Sequence, residues 1–529
     1  MKLRGLARRR GLATAAATLA LSLTLAACSG GSGGGTGTVA AQELPSSYGE
    51  PVDGGELKVG FPTTLTSADP IRGGSGFDHM MLYTMYDRLV NFTDDMKSEP
   101  SLAKSYEYLD PTTLELKLQE GVTFHDGTPF NAEAVKFNLD RARTSPVSNV
   151  KAELGSVTSA DVIDEYTVQL KLSHPDSSLP LILADRSGMM VSPTVAAQGD
   201  DAIAQQPTGT GPFKLISHAP GDSLQVERNE NYWKADNVHL DKVSFKFITN
   251  VQTLTNSVTS GEVNFATGMI SQTWQTLSGN SQLVVDAQPT LQSDGCYMNA
   301  TMAPTDNAKI RQAVAYAIDY EAFKESITFG AGGEVATSIF PSGYWAHPDV
   351  EWPYEYDLEK AKQLVAESGI ENPTVEAITH TGPGEQRKLE LIQGYLKQAG
   401  IGLNIEVQDV GAATKAYTDQ KFNLYCASWT GRPDPSQTYQ NLLSPTGYFN
   451  GGKYSEPDAQ AKIDAGNEVV GEDARAKAFD QAGQYFVDSL LFLPMVFSPR
   501  VTAMDPSVKG YHPKILGKAD VSFLWIDEG

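Results

Sequence analysis

The first 27 residues limit where this chain can fold. Five bases and no acid precede an apolar stretch that runs from Leu12 to Leu25. A basic start, a short apolar core and small residues at the end are the three parts of a secretory signal. The stretch is shorter than the about 18–20 residues that a membrane-spanning helix needs. We therefore predict a leader over residues 1–27 and a mature protein that works outside the cytoplasmic membrane.

The leader ends in Leu25-Ala26-Ala27-Cys28, which resembles the bacterial lipobox. The resemblance implies that Cys28 becomes the first mature residue and carries the lipid. An ordinary cleaved signal with an incidental cysteine is the alternative. Residues 29–37 are nearly all Gly and Ser, a composition typical of a flexible tether, and we predict such a tether over residues 28–52. The expected location is the outer face of the bacterial cytoplasmic membrane, where acyl chains hold the protein.

The acidic balance of the mature chain limits its partners. Removing the five bases of the leader takes the formal net charge from −23 to about −28. A surface this acidic repels phosphate backbones and anionic lipid, which excludes nucleic acid as a partner. Roughly 480 residues follow the tether, more than one hydrophobic core usually serves, so we expect two or three lobes in a monomer.

The hydrophobic pattern mixes strands and helices. Residues 114–118 and 168–172 alternate apolar and polar side chains and predict half-buried strands. Three helices are predicted to begin after the capping residues Asn131, Asp306 and Asp357. A helix followed by a strand is predicted between Gln386 and Val407, with Gly400 between them. This pattern indicates α/β layers.

Only Cys296 and Cys426 remain once Cys28 is assigned to the lipid. Both lie in segments that resemble strands. In an oxidising compartment they could form a disulfide, and two buried free thiols explain them equally well. The sequence leaves both possibilities open.

Signatures of catalysis are weak. The one Gly-x-Ser-x-Gly match spans Gly30–Gly34, inside the predicted tether, where no nucleophile elbow can form. The eight histidines form no His-x-x-x-His pair, and no Cys-x-x-Cys occurs, so no local metal motif is present. We predict neither a metal nor another cofactor, and a protein that binds rather than converts its ligand.

Four stretches together resemble one family, the peptide/opine/nickel class of solute-binding proteins that serve ABC importers. In chain order they are Gly121–Phe137, Gly209–Trp233, Asn299–Asp319 and Trp429–Pro435. The resemblance implies an α/β fold of the periplasmic-binding-protein-like type II, with two α/β lobes joined by a hinge and a smaller third domain. It also implies a peptide or related small solute as ligand and a complex of ABC permease and ATPase as partner.

The resemblance also implies domain boundaries. Lobe I is expected to be discontinuous, with the third domain and lobe II inserted in it. The expected ranges are 53–95, 207–289 and 497–529 for lobe I, 96–206 for the third domain and 290–496 for lobe II.

The loop from Trp429 to Asp434 is the main candidate for ligand binding. In peptide-binding members of the family, an aspartate of this loop pairs with the α-ammonium of the ligand, and Asp434 matches that residue type. The alternative is that Asp434 only starts the turn before Pro435. Trp429 could supply an apolar wall or a cation–π face, or pack in the core. Arg432 could neutralise Asp434 or hold a ligand carboxylate.

The sequence departs from dipeptide binders ahead of the helix near Glu385. Those proteins place an arginine there for the ligand carboxylate, whereas this chain reads Ile378-Thr379-His380-Thr381. The candidate ligand-binding set therefore also includes Thr379, His380, Tyr297 and Asn299. Longer peptides fit this departure, and a chelate of nickel or iron with an organic ligand is an alternative within the family. An anchored peptide hydrolase is the alternative outside it.

Overall fold

The structure, a computed structural model, describes residues 44, 48–73, 75–199, 201–382 and 384–528. The predicted leader, Cys28 and most of the predicted tether lie outside these ranges. Within them, no helix combines the length and the apolar character that crossing a membrane requires.

The described residues form one large mixed sheet and three smaller sheets. The strands are β1 (Glu56–Phe61), β2 (Val90–Phe92), β3 (Ser98–Pro100), β4 (Ala103–Asp110), β5 (Thr113–Leu118), β6 (Val157–Asp164), β7 (Thr167–Leu172), β8 (Phe213–Ala219), β9 (Ser223–Arg228), β10 (Lys242–Phe247), β11 (Phe265–Met269), β12 (Val284–Met298), β13 (Glu334–Val335), β14 (Thr374–His380), β15 (Gly402–Gln408), β16 (Leu424–Trp429), β17 (Phe492–Met504), β18 (Val508–Lys509) and β19 (Trp525–Ile526). The large sheet has the order β15-β14-β16-β12-β17-β11-β1-β10-β9-β8, and β13 pairs with β17.

The described residues also form fifteen α-helices. They are α1 (His79–Met85), α2 (Ala132–Thr144), α3 (Leu179–Ile182), α4 (Pro193–Ala196), α5 (Ala202–Gln205), α6 (Val251–Thr259), α7 (Trp274–Leu277), α8 (Ala308–Tyr316), α9 (Tyr320–Thr328), α10 (Leu358–Ser368), α11 (Glu385–Gln398), α12 (Val410–Thr418), α13 (Pro435–Leu443), α14 (Ala459–Asp464) and α15 (Glu472–Ser489). Short 3-10 helices lie at Gly76–Asp78, Lys151–Leu154, Arg186–Gly188, Ala235–Asn237 and Ser271–Thr273.

Two long strands, β12 and β17, connect the halves of the large sheet. They pair antiparallel along most of their length, with an interruption between Pro289 and Ser293. The later half of β12 also pairs with β16, and the end of β17 also pairs with β11. From this pair the sheet continues into one α/β lobe through β11, β1, β10, β9 and β8, and into a second through β16, β14 and β15.

A separate sheet with the order β4-β5-β7-β6 forms the third domain. The predicted strands at residues 114–118 and 168–172 are its central pair, with Leu114 opposite Leu170 and Leu116 opposite Val168. These four side chains are fully buried, and α2 packs on β6 and β7. The apolar alternation therefore faces a core between this sheet and α2.

Two of the three predicted helix caps are confirmed. The side chains of Asn131 and Asp357 accept backbone N–H groups at the starts of α2 and α10. The third prediction is wrong by one residue, because Asn307, not Asp306, caps α8. The predicted helix and strand between Gln386 and Val407 are α11 and β15.

A disulfide joins Cys296 and Cys426, so the structure favours the first of the two possibilities. The two residues lie opposite each other on the neighbouring antiparallel strands β12 and β16. Both are at most 5 % exposed. The bond ties together two strands of the same lobe, at a sequence separation of 130 residues.

Candidate functional site

The predicted loop connects β16 to α13, because β16 ends at Trp429 and α13 begins at Pro435. Gly431 in the middle of this loop has φ +72°, a left-handed conformation that glycine adopts without strain. A Cβ atom on Gly431 would lie 2.5 Å from the Cβ of Leu291 on β12. Both the conformation and this close approach require glycine, and they hold the loop against the strand that connects the lobes.

Asp434 is fully buried and neutralised by a residue of its own chain. Its Oδ2 lies 2.8 Å from one terminal nitrogen of Arg475, and its Oδ1 accepts a hydrogen bond of 2.9 Å from the other. Oδ1 also accepts from the backbone N–H of Ser436, which makes Asp434 the N-cap of α13. Because both carboxylate oxygens have partners inside the protein, the geometry does not support Asp434 as the counter-charge for a ligand ammonium. This corrects the interpretation drawn from the family resemblance.

Arg432, by contrast, is the charge of this loop that remains free. Its guanidinium carbon lies 4.6 Å from the centre of the Trp429 ring, a cation–π contact that orients the side chain. One terminal nitrogen donates to the carbonyl oxygen of Gly431 at 2.7 Å. Among the described residues, no carboxylate lies within ion-pair distance of Arg432, and Arg432 therefore does not neutralise Asp434.

Arg432 lines a cavity of about 750 Å³ between the third domain and the second lobe. Glu153, His174 and Asp176 lie on the third-domain wall, and Gln440 and Asn441 share the opposite wall with Arg432. Amide, carboxylate and guanidinium groups thus face one space. Such a lining suits a polar ligand with several hydrogen-bonding groups.

A cluster of charged groups from the first lobe and the third domain lies near Arg432. Asp185 contacts the imidazole of His79, whose pKa burial lowers to about 4, and Lys518 Nζ lies 3.5 Å from Asp185 Oδ2. Burial lowers the pKa of Lys518, and the charges of Arg186 and Arg432 lower it further, while Asp185 opposes them. Arg432 is therefore close enough to these side chains to affect their ionisation.

Another cation lies at the connection between the lobes. Arg500 on β17 has its guanidinium carbon 5.1 Å from the ring centre of Phe77, and it donates to the side chain of Gln292. Burial lowers its pKa, and the charge of Asp294 opposes that shift. Asp294 itself forms an ion pair with Lys388 at 2.5 Å.

Tyr297 was expected to bind ligand, and the structure places it in the hydrophobic core instead. It is 1 % exposed. Its ring stacks on Phe449 at 4.5 Å between centres and packs against Phe492 and Tyr425. The same cluster includes Trp429, whose ring meets Phe449 edge-on at 5.7 Å. Tyr297 therefore belongs to an aromatic cluster that supports Trp429 and, through Trp429, the side chain of Arg432. It has no face open to a ligand.

Asn299 and Thr379 are also internal. Asn299 Oδ1 accepts from the backbone and the hydroxyl of Thr301, which closes a turn. Thr379 donates to the carbonyl oxygen of Cys426 on the neighbouring strand at 2.8 Å. Both residues are 0 % exposed, so the expectation that they contact ligand is not supported.

His380 ends β14 and is half-buried, with Nδ1 3.2 Å from the carbonyl oxygen of Thr381. It does not line the cavity that contains Arg432. Of the seven residues predicted from the sequence, only Arg432 lines the cavity, and Trp429 lies behind it in the cation–π contact.

Sequence reasoning missed four charged residues at or behind this site, and these are Glu153, Arg186, Arg475 and Lys518. They lie far apart in the chain and in no motif, and Lys518 comes from near the C-terminus. The tertiary fold alone brings them next to the loop. The local signal that the sequence does contain is the Asp-Pro step at Asp434, which predicts a ligand site or a turn and which the structure shows to be the N-cap of α13.

The chain matches the bacterial extracellular solute-binding proteins, family 5, over residues 97–450. It belongs to this family. Glutathione-binding protein GsiB of Pectobacterium atrosepticum is 31 % identical over 424 residues, which cover 77 % of this chain and 81 % of the relative. The family is that of solute-binding proteins of ABC importers, which are extracytoplasmic and are binding proteins rather than enzymes.

Solved structures of this family share the fold of the chain. The oligopeptide-binding protein AppA from Bacillus subtilis, in complex with a nonapeptide, is 21 % identical with a TM-score of 0.75, and the match covers 90 % of this chain and 100 % of AppA. DppA from Helicobacter pylori, in complex with peptide STSA, is 23 % identical with a TM-score of 0.76, covering 90 % and 99 %. These likenesses confirm the predicted α/β type II fold with two lobes and a third domain.

Proposed function

We propose that this chain is the lipid-anchored solute-binding component of an ABC importer that takes up peptides or a related small solute. The cavity of about 750 Å³ between the third domain and the second lobe carries the proposal. Its volume lies within the roughly 300–1,000 Å³ typical of small-molecule sites. The family supports the importer role, with a permease and an ATPase as partners.

Ligand capture on this proposal involves movement of the lobes. The ladder between β12 and β17 is interrupted between Pro289 and Ser293, and register shifts mark weak points in a sheet. We place the hinge there, which supports the proposed division of lobe II from lobe I at residues 289/290 and 496/497. We also propose residues 53–95 and 207–289 as parts of lobe I and residues 96–206 as the third domain.

We propose Arg432 for ligand contact and Trp429 for the support of its side chain. Arg432 lines the cavity, and Trp429 orients its guanidinium from below. Tyr297, Asn299, Thr379 and Asp434 are withdrawn from the set because all four are at most 1 % exposed and none lines the cavity. His380 lies apart from the cavity and has no observation in its favour.

Peptides are favoured as ligands by the relatives. The names of curated relatives specify glutathione, a tripeptide, and the solved structures hold a nonapeptide and the peptide STSA. In the described part of the chain, no observation favours a metal chelate as ligand or peptide hydrolysis as activity, so neither alternative is proposed.

Binding can be tested on the full chain in detergent, with glutathione and a tripeptide library as probes. Calorimetry with glutathione and mass spectrometry of captured library members should show saturable binding without hydrolysis. Circular dichroism on the same sample establishes that the protein is folded. A folded protein that captures no peptide would overturn the peptide proposal, and cleaved peptides would replace it with hydrolysis.

The anchor can be tested separately through Cys28, which lies outside the described residues. Cys28→Ala should move the protein from the membrane fraction to the soluble fraction after cell breakage, because no lipid can be attached. Ser29→Ala is the matched control and should stay with the membrane. A Cys28→Ala protein that remains in the membrane fraction at the level of the control would exclude lipidation at this cysteine.

A further inference from the structure

The cavity wall offers a cation where the family resemblance implied an anion. Asp434 is neutralised by Arg475, whereas Arg432 has no carboxylate partner among the described residues and lines the cavity. The charges of Glu153 and Asp185 act on Arg432 from beyond ion-pair distance, so its half-buried guanidinium retains donors for an oxyanion. The stacking on Trp429 holds these donors in place.

The positive charge near Arg432 does not come from this residue alone. Arg186 donates to the carbonyl oxygen of Gly73 and, among the described residues, has no carboxylate within ion-pair distance. Lys518 adds a second cation, and its ammonium also contacts His79 Nε2 at 3.3 Å. Beyond the effect of burial, the charge of Arg186 lowers the pKa of both Arg432 and Lys518, and the charge of Arg432 also lowers that of Lys518.

Three carboxylates, Asp78, Asp185 and Glu153, lie near these three cations, and the charge of Arg186 opposes the rise that burial causes in the pKa of Asp78. Asp185 is engaged by His79 and Lys518. Glu153, on the opposite wall of the cavity, accepts a hydrogen bond of 2.5 Å from Ser187 Oγ. Burial raises the pKa of Glu153, and the charge of Asp185 adds to that shift, while the hydrogen bond from Ser187 and the charges of Arg186 and Arg432 oppose it. Of the three cations, Arg432 is the one that lines the cavity.

We infer that the ligand presents a carboxylate to Arg432, the cation that lines the cavity. The inference rests on the proposed function and specifies the substrate class as peptides or related solutes with an anionic group at this end of the cavity. A carboxylate here would relieve the mutual repulsion of the cations from the two sides. The orientation of the ligand is thus the reverse of one that places its ammonium at this loop.

The test compares a library of free tripeptides with the same library after its C-termini are amidated and its side-chain carboxylates esterified. The full chain in detergent should capture members of the free library and lose the neutralised one. Calorimetry with the tightest member should show that Arg432→Gln weakens binding by about thirty-fold or more, since a desolvated charge pair loses one partner. Arg432→Lys should recover part of the affinity, because the charge returns without the planar fork.

Glu153→Gln is the matched control on the opposite wall. Removing this acid takes away one of the carboxylates that act on Arg432, so affinity for the free tripeptide should rise or stay unchanged, and the neutral amide should gain nothing. Thermal unfolding of each variant establishes that the fold is retained.

The outcomes separate the inference from the proposed function. Equal capture of both libraries, or wild-type affinity in a folded Arg432→Gln protein, would overturn the anion site and leave peptide binding in place. A folded protein that captures neither library would overturn both.

Discussion

At the scale of single residues, the two charges of the Trp429–Asp434 loop have different roles. Asp434 and Arg475 form an ion pair whose members are at most 4 % exposed, whereas Arg432 faces the cavity. Removing one member of a buried pair leaves the other charge without compensation, and this costs about 3–5 kcal/mol. The pair is therefore expected to stabilise lobe II and not to bind ligand.

Asp434→Asn should lower the free energy of unfolding by about 3–5 kcal/mol, because Arg475 then stays buried without a counter-charge. The double variant Asp434→Asn/Arg475→Met should recover part of this loss, since neither charge remains. Thermal or denaturant unfolding measures both variants, and calorimetry of the folded protein should show unchanged peptide affinity. Unaltered stability combined with weakened binding would return Asp434 to the ligand site.

Asp286 on β12 makes the stability depend on pH. It is 1 % exposed, and burial raises its pKa to about 6, while hydrogen bonds from Gln288, the Ala287 backbone and Tyr511 oppose the shift. Because the folded state binds more protons than the unfolded state between about pH 4 and 6, stability falls as pH rises through that window. Above about pH 6, the free energy of unfolding is lowered by the full cost of burying the ionised carboxylate.

Asp286→Asn should therefore raise the free energy of unfolding at pH 8 by about 2–3 kcal/mol relative to wild type, and change it little at pH 4. Unfolding of both proteins at the two pH values measures the difference, in which the contributions of all other groups cancel. A gain of the same size at both pH values would assign the effect to packing rather than to the carboxylate charge.

At the scale of elements, the disulfide is the main covalent constraint in the described fold. Cys296 on β12 and Cys426 on β16 join a strand that connects the lobes to a strand within lobe II. The bond also lies one residue from Tyr297, in the aromatic cluster that carries Trp429. Loss of the bond should loosen the aromatic cluster that supports Trp429 and Arg432.

Replacing both cysteines by Ala should lower the free energy of unfolding by about 2–5 kcal/mol, because the unfolded chain loses a closed loop of 130 residues. A reductant should destabilise the wild type by a similar amount and leave the double variant unchanged. If the reductant has no effect on the wild type, the two thiols are free in the protein.

At the scale of the whole molecule, hydrogen bonds from Ser177 and Ser98 join the third domain to lobe II. The backbone N–H of Ser177 donates to the carbonyl oxygen of Asn467 at 3.1 Å, and that of Ser98 donates to Glu472 at 3.0 Å. These polar contacts leave the cavity between them. Opening and closing would break or form them at small cost, which suits a ligand-driven domain movement.

Ligand binding should reduce the radius of gyration, since closure buries the faces of the cleft around the solute. Small-angle scattering of the full chain, with and without saturating amounts of the tightest tripeptide, measures the change. The same tripeptide as its amide serves as a control that should compact the protein less. An unchanged radius with confirmed binding would indicate a rigid pocket.

The sequence by itself determined the elements and the family. Apolar alternation in β5 and β7, the caps of α2 and α10, and the unit of α11 and β15 are local signals, and the ordered motifs were sufficient to predict the two-lobed fold.

The tertiary structure decided which charged residues from distant parts of the chain form ion pairs, because local signals carry no information about such contacts. The Asp-Pro step at Asp434 is compatible with both a ligand site and a helix cap, and only Arg475, 41 residues further on, decided between them. The tertiary structure also decided between a disulfide and two free thiols, because the register of β12 and β16 places Cys296 opposite Cys426. Arg186, Lys518 and Glu153 converge near Arg432 through tertiary packing alone, since nothing in their local sequence encodes proximity.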